Sequence, residues 1–393
     1  MKEAEIIQAL ENNEPFKDLP NVRVTNLSVR PEEPQSRFDV KFDLEFGEAK
    51  VEVYAEIKSM CTPKQVELVG GWLSELKTWK KGTAFALVCP NLSFQSQQLC
   101  LKRNLDFIDL AGNVFINVPG RLLLQRVGMS PRKVATPSYY RNPFSGTSSR
   151  ILRVLLQKPG AWTLSEIVEE LTAESRRLES PGVSFGISSS LASRVLRSLE
   201  EELLVVRMPT SFDSDQAVSE RDLQPEGPGG RRSPVIVPNP EKLLARWAQD
   251  YKRRYRWYLR RSFKLPNPFG MNLEPTMQEV DKLLQINCHA FTGAAAANLT
   301  APFVDADSID LYISEGAGAD NLRKSASGPS IGPDLRVIYA YDPGVFLYCS
   351  RTRGIPVVSD IQTYLDLYAR GGRDLKQADY LLQERIKPMW RIK

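Results

Sequence analysis

Three residues early in the chain have the types and spacing for phosphodiester chemistry: Asp39, Glu56 and Lys58. They lie in SRFDVKFDLEFGEAKVEVYAEIKSM (residues 36–60), where two alternating runs flank a Gly-containing turn and predict a β-hairpin. One register carries Phe38, Val40, Phe42, Leu44, Phe46, Val51, Val53, Ala55 and Ile57. The other carries Asp39, Asp43, Glu45, Glu52, Glu56 and Lys58. With the turn at Gly47-Glu48, Asp39 falls opposite Glu56, and Lys58 follows on the same face. Facing carboxylates are oxygen ligands of the kind Mg2+ prefers, and a neighbouring lysine can orient an attacking water. Asp43 and Glu52 form an equally good opposed pair, and a simply wet polar face explains the pattern too.

A second constellation is cationic. Residues 150–264 hold 20 Lys and Arg against 15 Asp and Glu, whereas residues 1–149 hold 19 against 17 and residues 265–393 hold 13 against 15. A nucleic-acid partner is therefore expected at the middle third. In ISSSLASRVLRSLEEELL, the residues Ile187, Leu191, Val195, Leu199 and Leu203 recur every four positions, with Leu196 beside them, and predict a core-facing stripe. The opposite face carries Ser190, Ser193, Arg194 and Arg197, which suit contacts to phosphates and base edges. Arg231 and Arg232 stand in a Gly/Pro-rich loop. YKRRYRWYLRRSFK (251–264) interleaves seven basic residues, among them Lys252, Arg253, Arg254 and Arg256, with five aromatics and no acid. That helix is suited equally to phosphate binding and to packing on a neighbour.

These residues need elements to hold them. Residues 1–130 read as helix, hairpin, helix, strand, helix and strands, an α/β pattern with a mixed sheet, and 131–147 as a connector. Residues 148–264 read as three helices and two short strands around a long loop, the order of a winged helix-turn-helix. Thr163 and Glu166 occupy capping-box positions. A final helix through Phe263 closes that block. Residues 272–393 read as a third, α/β domain, with a helix at FTGAAAANL, strands at SIDLYIS, LRVIYAY and VFLYCS, and two closing helices. In the first of these, Ile361, Tyr364, Leu365 and Tyr368 form a stripe that Gly371-Gly372 ends. Asp366 and Arg373 read as functional groups or, more simply, as braces of the helix pair.

Composition narrows the field. The five cysteines are scattered and never form CxxC, which points to reduced thiols rather than disulfides or zinc ligation. His289 is the single histidine, which argues against Ser-His-Asp chemistry. No apolar run is long enough for a membrane helix, and the acidic start lacks secretory character, so a cytoplasmic location is expected.

The segments SSRILRVLLQKPGAWTLSEIVEEL, GVSFGISSSLASRVLRSLEEELLVV and VVSDIQTYLDLYARGGRDLKQAD, in that order, resemble AbiEi-type antitoxin regulators of type IV toxin–antitoxin systems over about 148–393. Asp39 with Glu56-Ile57-Lys58 is similar to the D…(D/E)xK signature of the restriction-endonuclease-like fold. The resemblance implies a regulator that binds a double-stranded operator, represses its own operon and counteracts a nucleotidyltransferase-like toxin without necessarily touching it. DNA binding of that kind needs no cofactor. The alternative is a Mg2+-dependent nuclease that a winged helix targets to DNA in phage defence, with Asp39, Glu56 and Lys58 catalytic and the two carboxylates on the metal.

Overall fold

The computed structural model describes residues 1–31, 38–129, 142–178, 183–208, 233–284, 288–314 and 319–391. The fold is mixed α/β in two compact units, Met1–Ser138 with Glu200–Leu203, and Tyr139–Leu199 with Leu204–Lys393.

The first unit runs α1 (Glu3–Glu11), β1 (Val22–Val29), β2 (Val40–Phe46), β3 (Ala49–Ile57), α2 (Pro63–Trp79), β4 (Thr83–Cys89), α3 (Phe94–Lys102), β5 (Asp106–Asp109), β6 (Val114–Val118) and β7 (Leu122–Arg126). Its seven strands lie in chain order in one sheet. The β3–β4 and β4–β5 pairs are parallel, as helical crossovers require, and the other pairs are antiparallel. Phe46 pairs with Ala49 around Gly47, whose φ of 59° sits at the first central position of a two-residue turn. That turn fixes the expected register, with Val40 opposite Ala55 and Asp43 opposite Glu52.

Both faces of this sheet are covered. Ile6, Ala9 and Leu10 of α1 pack on Val40, Phe42, Leu44, Val51 and Val53. Val66, Val69 and Leu73, one stripe of α2, pack with Tyr54, Phe85 and Phe107 on the other side. Phe38 departs from the expected alternation. It precedes the first paired residue of β2, joins the Tyr54 face and lies 5.3 Å from the Trp72 ring. Phe46, at the turn, is exposed rather than core.

The second unit opens with α4 (Ser149–Gln157), α5 (Leu164–Arg177) and α6 (Ser189–Glu201), then β8 (Val206–Arg207) and β9 (Val235–Ile236), a short antiparallel pair. The capping box forms: Thr163 accepts from the Glu166 N–H, and the Glu166 carboxylate accepts from the Thr163 N–H. Next come α7 (Pro240–Tyr258), β10 (Ser262–Leu265), α8 (Leu273–Leu283), β11 (His289–Thr292), α9 (Gly293–Ala297), β12 (Ser308–Ile313), α10 (Ala319–Ser325), β13 (Asp334–Tyr339), β14 (Ser350–Thr352), β15 (Ile355–Val357), α11 (Asp360–Arg370), α12 (Arg373–Leu381) and α13 (Lys387–Arg391). Six strands form one sheet in the order β10-β13-β12-β11-β15-β14.

Three expectations change here. The basic helix stops at Tyr258, and Ser262–Leu265 instead pairs antiparallel to β13 as an edge strand. VFLYCS is not a strand: Val345 and Phe346 end a 3-10 turn (Pro343–Phe346), a further turn follows and Ser350 alone opens β14, while β11 and β15 supply strands where none was expected. The break at 265–271 also separates no cores. Leu152, Leu155, Leu196 and Trp247 share one buried cluster with Ala294, Tyr312, Val345 and Leu365. The far face of the six-stranded sheet packs on α8 and α10 through Met277, Val280 and Leu322.

Candidate nucleic-acid surface and acidic hairpin

Helix α6 is short, and its two faces are sharply unlike. Ala192, Val195, Leu196 and Leu199 are buried, and Ile187 and Leu191 pack partly against them. Leu203 falls just past the helix with φ 55°, while the Leu204 N–H reaches back to the Leu199 carbonyl at 2.9 Å and closes the last turn. At the other end the Ser188 hydroxyl accepts from the Leu191 N–H at 3.2 Å. Part of the Ser-rich run is therefore a cap. Ser190, Arg194 and Arg197, spaced i, i+4 and i+7, are exposed along one line, and Ser193 is half-buried beside them. The Arg194 Nε donates back to the Ser190 carbonyl at 3.3 Å. Arg231 and Arg232 lie outside the described residues.

In α7, Leu244, Trp247, Ala248, Tyr251, Tyr255 and Tyr258 are buried at helical spacing. Lys252, Arg253 and Arg256 stand outward. Arg254 does not: it bends onto the buried Asp250 four residues back, which spends its charge inside the helix. The Lys252 ammonium lies 5.7 Å from the Tyr368 ring centroid, a cation–π contact.

On the hairpin, the Asp39 N–H donates to the Ala55 carbonyl at 3.1 Å, although Ala55 already faces Val40, so the pairing slips by one residue here and the ladder does not set Asp39 opposite Glu56 as expected. One Asp39 oxygen accepts from the Ile57 N–H at 2.6 Å. Lys58 Nζ lies 2.5 Å from Glu56 Oε1. Burial pushes the Glu56 carboxyl up; Lys58 opposes this, and the nearby Asp39 and Glu3 carboxylates add to it. The other opposed pair differs. Glu52 contacts Lys41 at 2.8 Å and Lys80 at 2.6 Å, and Asp43 contacts Lys50 at 3.0 Å and the Asn26 amide at 2.8 Å. Burial works against both carboxylates, yet these partners hold both below their ordinary range. The two pairs, alike in sequence, are thus unlike in surroundings. Among the described residues no group of three His, Cys, Asp or Glu side chains converges in metal-holding geometry. All five cysteines are free thiols. No described helix is long and apolar enough to cross a membrane.

A buried polar system escaped sequence reading. Asp366, 2% exposed, accepts from Tyr251 Oη at 2.6 Å, Tyr312 Oη at 2.9 Å, Gln362 Nε2 at 3.0 Å and Thr292 Oγ1 at 2.6 Å. Burial pushes its carboxyl up, and these hydrogen bonds pull it back. Arg153 donates to Gln362 Oε1 at 2.6 Å and lies 5.1 Å from the Trp247 ring. Arg150 forks onto Asp342 at 2.9 and 3.0 Å. The available signal was the pair of arginines, i and i+3, inside the otherwise apolar helix SSRILRVLLQ. Asp366 is thus a brace within the core, and Arg373 is exposed at the start of α12.

No family model matches the chain, and no curated protein does. Among solved structures, the apo form of EndoMS is similar over 28% of this chain and 46% of that chain, at 19% identity and a TM-score of 0.20.

Proposed function

We propose that the chain is a DNA-binding transcriptional regulator of AbiEi type, in which α4–α6 and the β8–β9 pair form a winged helix-turn-helix and α6 is the recognition helix. One observation carries this reading: Ala192, Val195, Leu196 and Leu199 hide the back of α6 while Ser190, Arg194 and Arg197 line its exposed face. Guanidiniums on such a line fork onto guanine edges or phosphates. Lys252, Arg253 and Arg256 supply further phosphate contacts, which position the protein without reading sequence. The family reading adds autorepression and the countering of a nucleotidyltransferase-like toxin.

The test is fluorescence anisotropy on duplex DNA from the region upstream of the chain's own gene, against a scrambled duplex. The upstream duplex is expected to bind preferentially, with affinity falling steeply as salt rises. Arg194→Ala with Arg197→Ala should lower specific affinity at least about tenfold, in line with the ~1–3 kcal/mol that a forked base contact supplies. Equal binding to both duplexes, untouched by the double variant, overturns the reading.

A second reading rests on the hairpin. The order α1-β1-β2-β3-α2-β4 supports a restriction-endonuclease-like domain, and the Lys58–Glu56 ion pair with the Asp39 carboxylate nearby supports the trio as a site. Under it, a metal held by Asp39 and Glu56 would offset charge on the scissile phosphate, while Lys58 orients the attacking water. Mg2+- or Mn2+-dependent nicking that Glu56→Ala and Lys58→Ala each abolish, and Glu52→Ala does not, is the expected outcome. Nicking that survives both variants eliminates it.

A further inference from the structure

We infer that the second unit carries a binding site for a free mononucleotide, at a cavity of about 630 Å³ lined by Trp257, Tyr258, Arg260, Arg261, Tyr339 and Tyr341, among others. The cavity opens where two parallel strands end: β12 runs to Ile313 and β13 to Tyr339, paired in register, and Ser314 and Ala340, the next residue of each, also line it. Carboxyl ends of parallel strands are where α/β sheets leave crevices for ligands, because the chain turns away there and backbone groups are left open. The volume lies within the ordinary range for small-molecule and cofactor sites.

The lining chemistry selects the guest. Tyr258 and Tyr341 stack with centroids 3.8 Å apart and planes at 16°, and Trp257 meets Tyr258 edge-on at 5.6 Å and 71°. Trp257 remains 56% exposed, so a large aromatic surface beside the cavity still faces water. A flat heterocycle laid against it would recover apolar burial and stacking together. The cations come from the 3-10 turn Leu259–Arg261 that follows α7: Arg260 and Arg261 are both exposed, and the Arg261 guanidinium lies 5.3 Å from the Tyr339 ring. No carboxylate is among the described residues that line the cavity. Aromatic rings and two guanidiniums in one lining match a nucleobase joined to a phosphate; neither half alone meets both features. The site stands whether or not the chain binds an operator.

The test is isothermal titration calorimetry of the full chain in EDTA, which silences any metal-dependent chemistry elsewhere. The probes are adenosine, guanosine, cytidine and thymidine mono- and triphosphates, the free nucleosides, inorganic phosphate, and a short single-stranded oligonucleotide. At least one nucleotide should bind with Kd on the order of 10–100 µM, because the cavity is open on one side and leaves part of the guest in water. The matching nucleoside and inorganic phosphate should each bind at least tenfold more weakly. Arg260→Ala with Arg261→Ala should weaken the nucleotide at least tenfold, and Trp257→Ala about fivefold, with unchanged circular dichroism. No nucleotide binding below 1 mM overturns the assignment. So does binding that the arginine variant leaves intact, or binding by the oligonucleotide alone.

Discussion

The acidic hairpin of the first unit and the Asp366 cluster of the second place carboxylates out of water in opposite ways. On the hairpin, acids are answered by charge: Lys41 and Lys80 at Glu52, Lys50 at Asp43, Lys58 at Glu56. Inside the second unit, Asp366 is answered by two tyrosines, a threonine and a glutamine, with the nearest cation, Arg153, reached through Gln362. Neutral donors of this kind fix a carboxylate in place and leave no oxygen for a guest. Charge pairing leaves the carboxylate exchangeable, because a metal can compete with the lysine for it and a phosphate can compete with it for the lysine. The same side-chain type is therefore a brace in one unit and a candidate for chemistry in the other.

That contrast can be broken most directly at Asp366. Asp366→Ala strands four buried donors and should cost about 3 kcal/mol or more of second-unit stability, read by urea denaturation. A loss under about 0.5 kcal/mol would make the cluster incidental. Thr292→Val removes one donor while keeping shape, and a smaller cost of ~1 kcal/mol is expected by the same measurement. The smallest effect lies on the hairpin, where the two pairs should respond to pH with opposite signs. The Glu56 carboxyl is raised on folding, so its stabilising contribution belongs to low pH and fades as pH climbs through and above its ordinary 4.5. Glu52 is lowered on folding, so its contribution is present above 4.5 and fades as pH drops below that value. Relative to the parent, Glu56→Gln should gain stability as pH rises from 4 to 7, and Glu52→Gln should lose it. Parallel curves for the two variants would erase the distinction between the pairs.

What the sequence made legible follows from where the stabilising energy is local. The hairpin register was readable because a two-residue turn and a period-2 pattern specify each other. The capping box was readable because Thr163 and Glu166 act within one helical turn. The split faces of α6 follow from 3.6-residue periodicity alone. Strands β10, β11 and β15, of four, four and three residues, carry too little pattern of their own; they are strands because neighbours distant in sequence offer them an edge. Phe38 changed sides because the pairing slips by one residue there, with the Asp39 N–H on Ala55, which Val40 already faces. The equivalence of the two hairpin acid pairs broke for a similar reason: Lys80 reaches Glu52 from the end of α2, 28 residues away in the chain. Arg150 and Arg153 were hidden by their type, since an arginine in a helix ordinarily marks the wet side, and the side chains of Asp342 and Gln362, about 200 residues on, help to make their burial tolerable.

The common core of the second unit has a consequence for its ancestry. A helical segment that folds on its own can be grafted between proteins as a self-sufficient cassette. Here helix α4 keeps its arginines inside with the help of acceptors from the far C-terminal segment, Asp342 and Gln362. The α4–α6 segment therefore travels with residues 288–391 or not at all. Swapping it for a three-helix piece of another protein would leave two guanidiniums, or two acceptors, short of partners at the seam.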